Sequence, residues 1–150
     1  MFAFLVVALF ATPGVANVGW FRPTPAKPGR PPAYSNQQVA DAKSKVCATF
    51  EKVHQAVSSN FARDQGTDPN QRLLVAVTGQ QALLAGSVYL QTTLSEELAT
   101  PADLASAVRK LIDVFQGLTI DYLNGHGSPE VDASLRAGDE ATVAIESLCK

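Results

Sequence analysis

Apolar residues recur every three or four positions in three stretches of the chain, which is the spacing of an amphipathic helix. Ser35 and Gln38 match a capping box, so the first predicted helix begins at Ser35, and Gly66 ends it. Its apolar positions are Val39, Val46, Phe50, Val53 and Val57. No stretch shows sustained period-two alternation, so the sequence predicts no strand.

A second predicted helix contains residues 73–95, which carry no charge and are bounded by Arg72 and Glu96. Its length also fits a membrane span, since about 20 apolar residues cross a bilayer. The side-chain amides of Gln80 and Gln81 would be costly at bilayer depth. This favours a mostly buried helix that supplies the apolar surface for the amphipathic ones.

Proline marks the start of each of the last three predicted helices. Pro69, Pro101 and Pro129 stand at first helical positions, where the missing N–H costs little. Thr100 and Ser128 precede two of them as predicted cap residues. The third helix has the apolar positions Leu104, Val108, Leu111, Phe115, Leu118 and Tyr122. The fourth has the weakest apolar stripe, namely Val131, Leu135, Gly138, Thr142, Ile145 and Cys149.

Four helical segments joined by short turns predict an all-α, antiparallel up-down four-helix bundle over residues 35–150. In that arrangement Cys47 and Cys149 both lie about 20 residues, or roughly 30 Å, below the level of Gly66 and Pro129. Both cysteines also fall on or beside an apolar stripe. We therefore predict a disulfide between Cys47 and Cys149, with two buried free thiols as the alternative.

Residues 1–19 are uncharged and begin with an almost wholly apolar run. They indicate either a transmembrane anchor, with Trp20 and Phe21 at the membrane interface, or a signal peptide cut near Asn17. The basic residues expected ahead of either segment are missing. We therefore expect the true start of the protein to lie upstream.

Residues 20–34 contain five prolines. Proline fixes φ and removes a hydrogen-bond donor, so this stretch predicts an extended, semi-rigid linker rather than a helix or a central strand. A stalk that lifts a domain off a membrane is the favoured interpretation. An SH3-type ligand at residues 28–31 is the alternative.

The charge distribution argues against binding to nucleic acid. The net charge is −2, and three of the twelve basic residues lie before Asp41. The remainder carries nine basic and fourteen acidic residues, a net charge of −5. Gripping a phosphate backbone requires clustered lysine and arginine, which this part of the chain lacks.

The sequence also lacks the residue patterns of the common catalytic and metal sites. Glu51 and His54 have the spacing that places a carboxylate and an imidazole on one metal in di-iron bundles. Those proteins need this Glu–His pair twice. Three positions before the other histidine, His126, the residue is Leu123 rather than a glutamate. There is no haem attachment motif, zinc-site spacing or nucleophile elbow. We therefore predict no catalytic residues, no metal and no cofactor, with His54 at the edge of the core.

The second predicted helix has one feature that indicates an interaction. Most of its polar positions are Gln, Thr or Ser, and depletion of charge with retained hydrogen-bonding groups marks the cores of interfaces. Gln80, Gln81, Ser87 and Gln91 are therefore candidate contacts with a second subunit, another envelope protein or a lipid. A neutral helix buried in the bundle would show the same composition.

The order of these features resembles exported or membrane-anchored, alanine-rich helical proteins of mycobacteria and related actinobacteria. The resemblance rests on the apolar start, Trp20 and Phe21, the proline-rich stretch, residues 40–47 and residues 147–150. It implies a location in the cell envelope. It implies no catalytic residues.

We expect a non-catalytic domain that is anchored in the cell membrane facing the extracytoplasmic space, or secreted, with a binding or scaffolding role there. One alternative is a carrier of a small molecule or lipid, for which we expect a cavity between the second and third helices lined by Leu83, Tyr89 and Phe115. The other is an enzyme, for which ionisable side chains would surround His54 in a cleft.

Overall fold

The structure is a computed structural model that describes residues 33–64, 66–127 and 129–150. This part of the chain forms four helices, α1 (Asn36–Phe61), α2 (Pro69–Glu96), α3 (Ala102–Leu123) and α4 (Asp132–Cys149). It contains no strand, so the all-α prediction is confirmed. The predicted anchor or signal peptide and the predicted linker up to residue 32 lie outside the described residues.

Local hydrogen bonds set the starts of α1 and α2. The Gln38 amide donates to the Ser35 hydroxyl oxygen at 3.2 Å, and the Ser35 amide donates to the Gln38 side chain at 2.8 Å. At α2 the Asp68 carboxylate accepts from the Asn70 amide at 3.2 Å, and Pro69 stands in the first turn. Both predicted starts are confirmed.

The predicted start of α3 was wrong by one residue and that of α4 by three. The Thr100 hydroxyl donates to the Glu97 carbonyl at 2.6 Å, so it does not cap α3, and Pro101 is the cap residue instead. At α4 the Glu130 amide donates to the Gly127 carbonyl at 2.8 Å and closes a turn before the helix begins. The 18 residues of α4 therefore make it shorter than a helix that begins at Pro129 would be.

Contacts between side chains show that α1 and α2 are antiparallel. Lys45 near the start of α1 forms an ion pair with Glu97 just beyond α2, at 2.7 Å. One turn further along α1, the Thr93 hydroxyl donates to the Thr49 hydroxyl at 3.3 Å. The hydrogen bond and the negative charge of Glu97 hold the pKa of Lys45 above its usual value.

The later helices continue the up-down order. Lys110 pairs with Glu140 at 3.1 Å, and Gly138 lies beside Val114 one turn along, so α3 and α4 are antiparallel. Each helix packs along the next one in sequence, but α1 and α4 touch at few positions. The bundle therefore has three well-packed seams and one thin seam between its first and last helices.

The core lies around α3 rather than around α2. The buried core residues are Val46, Phe50, Val53, Leu83, Leu90, Leu104, Val108, Leu111, Ile112, Phe115, Leu118, Val131, Ala141 and Ile145. Those from α3 form the largest group because this helix packs against both α2 and α4. By contrast, α4 itself buries only Ala141 and Ile145.

The prediction that α2 is mostly buried was wrong. Leu84 and Val88 are each 52% exposed, because only α1 and α3 cover this helix. In the described part of the chain, α2 is the one helix long and apolar enough to cross a membrane. Its inner side, however, packs on α1 and α3, whose exposed charges include Lys52 and Lys110.

Gly86 lies where α2 packs closely on α1. A Cβ atom here would lie 2.7 Å from a methyl group of Val53, whereas at Gly79 it would meet only the Phe61 ring at 3.6 Å. Valine is stiff at χ1, so the Val53 side chain cannot easily rotate away from the added methyl group. We expect Gly86→Ala to destabilise the fold by about 1–2 kcal/mol through overpacking. Gly79→Ala should stabilise it by up to about 1 kcal/mol through helix propensity.

Urea unfolding of these two variants, followed by circular dichroism, tests whether they change the free energy of unfolding in opposite directions. Both substitutions replace a helical glycine of α2 with alanine, so each is the control for the other. Effects of the same sign and size would show that α1 does not crowd Gly86.

Candidate functional site

Cys47 and Cys149 form a disulfide, with their Cα atoms 5.7 Å apart. The bond joins the first half of α1 to the last residue of α4, across the thin seam of the bundle. It therefore fastens the helix that buries the fewest residues of its own. The described residues include no free cysteine, so they offer no thiol nucleophile.

The four residues predicted to form an interface differ in their exposure to solvent. Gln81 and Gln91 are exposed and Gln80 is half-buried. Ser87 is 0% exposed, and its hydroxyl donates to the Leu84 carbonyl at 2.9 Å. Assigning Ser87 to an interface was therefore wrong, because it faces the core and its polar group is satisfied within α2.

Gln81 and Gln91 belong to an uncharged strip on the outside of α2. We call this strip the outer face, defined by the exposed residues Leu74, Val77, Gln81, Leu84, Val88, Gln91 and Ser95. These residues follow one another in alternating steps of three and four, the a and d spacing of a coiled coil. At 1.5 Å per residue the outer face is about 30 Å long. Sequence reasoning missed this strip, because apolar residues surround α2 and the sequence alone does not mark one side of it.

A cleft of about 240 Å³ opens between α1 and α4, away from the disulfide. Leu83, Phe115 and Leu118 form its floor, with Val57 and Leu135 on the two sides. The polar residues that line it are His54, Ser58, Asp139 and Thr142. The thin α1–α4 seam thus becomes an open groove where no covalent link holds it.

Leu83, Tyr89 and Phe115, which would favour a carrier if they lined one cavity between the second and third helices, do not line one cavity together. Leu83 and Phe115 do line a cavity together, but it opens between α1 and α4. Tyr89 is exposed on the other side of α2, next to the outer face. Leu83 and Tyr89 lie on opposite sides of α2, so they cannot line one cavity.

A second cavity, of about 260 Å³, lies at the same end of the bundle between α1, α2 and α3. Phe61 lines both cavities, so its ring separates them. The ring tilts against Tyr122, with ring centroids 6.4 Å apart. Burial raises the pKa of Tyr122 above its ordinary value, and the charge of Asp121 adds to this, so the phenol stays protonated. The amide side chains of Asn60 and Gln80 also line this second cavity.

His54 and Glu51 do not line the same cavity. The His54 ring stacks on Phe50 with centroids 5.6 Å apart, at the edge of the cleft. Glu51 is exposed and lines a separate depression beside the disulfide. Among the described residues, no three or more His, Cys, Asp or Glu side chains are grouped so that they could hold a metal ion. Asp139 is the one other ionisable residue in the cleft lining that the structure describes.

Comparison with protein-family models, with curated proteins and with solved structures finds no match for this chain. Two of its features, the disulfide and a helix apolar enough to cross a membrane, point to an exported or membrane-associated protein. The outer face of α2 and the cleft are two of the surfaces that the bundle leaves open.

Proposed function

We propose that this chain is a non-catalytic helical module with a binding or scaffolding role at the cell envelope, and that it acts by pairing the outer face of α2 with the same face of a second copy. The exposure of this uncharged, largely apolar strip carries the proposal. Contiguous apolar surface bounded by polar residues marks sites of interaction, because removing apolar surface from water lowers the free energy.

The outer face is complementary to itself when two copies run antiparallel. In an antiparallel helix pair, a positions of one helix lie opposite d positions of the other. One register places Gln81 opposite Gln91 of the second copy and Leu84 opposite its Val88. Two-fold symmetry repeats each of these pairs, so amides meet amides and apolar side chains meet apolar side chains in the central part of the strip, while Val77 meets Ser95 toward each end.

A position outside the cytoplasm agrees with the Cys47–Cys149 disulfide, since thiols in the cytosol are kept reduced. In this proposal residues 1–19 supply the membrane anchor or the signal for export, and residues 20–34 supply the stalk. Contact with the membrane then runs through the N-terminal segment. The outer face of α2 is left free to associate.

Val88→Glu tests the pairing. It places a carboxylate opposite Leu84 of the second copy, twice per dimer, where it would lose water without gaining a partner. We expect the dissociation constant of the full chain to rise at least about tenfold. Sedimentation equilibrium in a mild detergent, over a range of protein concentrations, measures it.

Val143→Glu is the matched control. Val143 is 63% exposed on α4, away from α2, and the substitution adds the same charge. It should leave the association unchanged. A wild-type chain that stays monomeric at all concentrations, or a Val88→Glu variant that associates like the control, would overturn the proposed pairing.

A further inference from the structure

We propose that the cleft between α1 and α4 binds a single alkyl chain with an uncharged polar head group. The cleft shares no residue with the outer face of α2, so this inference does not depend on the pairing of two copies. It concerns a ligand rather than a protein partner.

The interior of the cleft is apolar. Leu83, Phe115 and Leu118 at its floor belong to the core of the bundle, and Val57 and Leu135 continue the apolar surface outward. An engineered apolar cavity of about 150 Å³ holds benzene, with its six carbon atoms. By proportion, the 240 Å³ of this cleft hold a chain of roughly ten carbon atoms.

The polar lining decides the charge of the head group. The described residues that line the cleft include no lysine and no arginine, and Asp139 is among them. A carboxylate or phosphate head group would face Asp139 without a strong cationic partner, which disfavours it. A hydroxyl or ester head group can exchange hydrogen bonds with the side chains of Ser58 and Thr142. The ligand class is therefore a neutral amphiphile such as a long-chain alcohol or a monoacylglycerol.

Phe61 limits the length of chain that the cleft accepts. Its ring stands between the cleft and the second cavity and packs over Gly79, which has no side chain to hold the ring in place. Turning this ring would join the two cavities and extend the binding site toward the amides of Asn60 and Gln80. Phe61→Ala should therefore shift the preference of the site toward longer chains.

A photoactivatable ten-carbon alcohol carrying a diazirine tests the site. The full chain is placed in lipid nanodiscs and irradiated with this probe, and mass spectrometry maps the labelled peptides from residue 33 onward. We expect labelling to concentrate on α1 and α4 around the cleft and to be competed by 1-decanol. A probe of the same length that ends in a carboxylate should label these peptides at least about tenfold less.

Two adjacent serines provide matched variants. Ser58 lines the cleft, whereas Ser59 does not, and both side chains are exposed, so tryptophan at either position leaves the core intact. Ser58→Trp should fill the cleft and lower labelling at least about tenfold, while Ser59→Trp should change it less than about twofold. Equal labelling of the two variants, equal labelling by the carboxylate probe, or labelling that 1-decanol does not compete would overturn the assignment.

Discussion

Replacing both Cys47 and Cys149 with alanine is expected to lower the free energy of unfolding by about 2–5 kcal/mol. The two cysteines are 102 positions apart in sequence. In the chain-entropy model a cross-link that closes a loop of about 100 residues contributes up to about 4.7 kcal/mol, by restricting the unfolded chain. Few other single contacts in this bundle approach that size.

The local packing points in the same direction. Within α4 only Ala141 and Ile145 are buried, and α1 touches this helix at few positions. Without the disulfide, the C-terminal end of α4 has little to hold it against α1. We therefore expect hydrogen exchange to quicken first in α4, before the other helices lose protection.

Urea unfolding of the full chain, followed by circular dichroism, measures the loss. Dithiothreitol provides the control, because it should lower the stability of the wild type to that of the Cys47→Ala/Cys149→Ala variant and leave the variant unchanged. A variant within about 1 kcal/mol of the oxidised wild type would show that packing alone holds α4 in place.

Leu83→Ala is the second substitution with a large expected effect, about 2–5 kcal/mol. Leu83 is 1% exposed and forms part of both the core and the floor of the cleft. Removing its side chain takes away buried apolar contacts and leaves a void that the rigid neighbouring helices close only in part. The same urea experiment measures the change.

Leu98→Ala is the control for this prediction. Leu98 is 70% exposed in the turn between α2 and α3, so its truncation should change the stability by no more than about 0.5 kcal/mol. Equal losses from the two leucines would mean that Leu83 does not support the core.

The core packing and the disulfide together explain how the bundle keeps one seam open. Packing around α3 holds α2 and α4 in place, and the disulfide closes the α1–α4 seam at one end. A covalent link acts mainly on the unfolded chain, so it stabilises the fold without requiring that seam to be filled by side chains. The cleft can therefore remain open without loss of the fold.

Much of the fold could be predicted because local chemistry determines it. The capping box at Ser35 and the Asp68-Pro69 start are interactions between residues near in sequence, so their residue types were sufficient. The Cys47–Cys149 bond followed from the lengths of the helices and their up-down order. Errors at the starts of α3 and α4 arose where a competing turn hydrogen bond replaced the expected cap.

The sequence by itself determined the helices, their order and the residues that could pair as a disulfide. Only the tertiary structure decided which apolar residues of α2 are covered, since Leu83 and Leu84 are chemically identical and one is buried while the other is exposed. The tertiary structure likewise decided that Ser87 is buried while Gln81 is exposed, and it decided the position of the cleft. The physical reason is that the apolar residues of α2 surround the helix, so its own periodicity does not favour one side. Burial is set by where α1 and α3 lie, which is a property of the whole bundle.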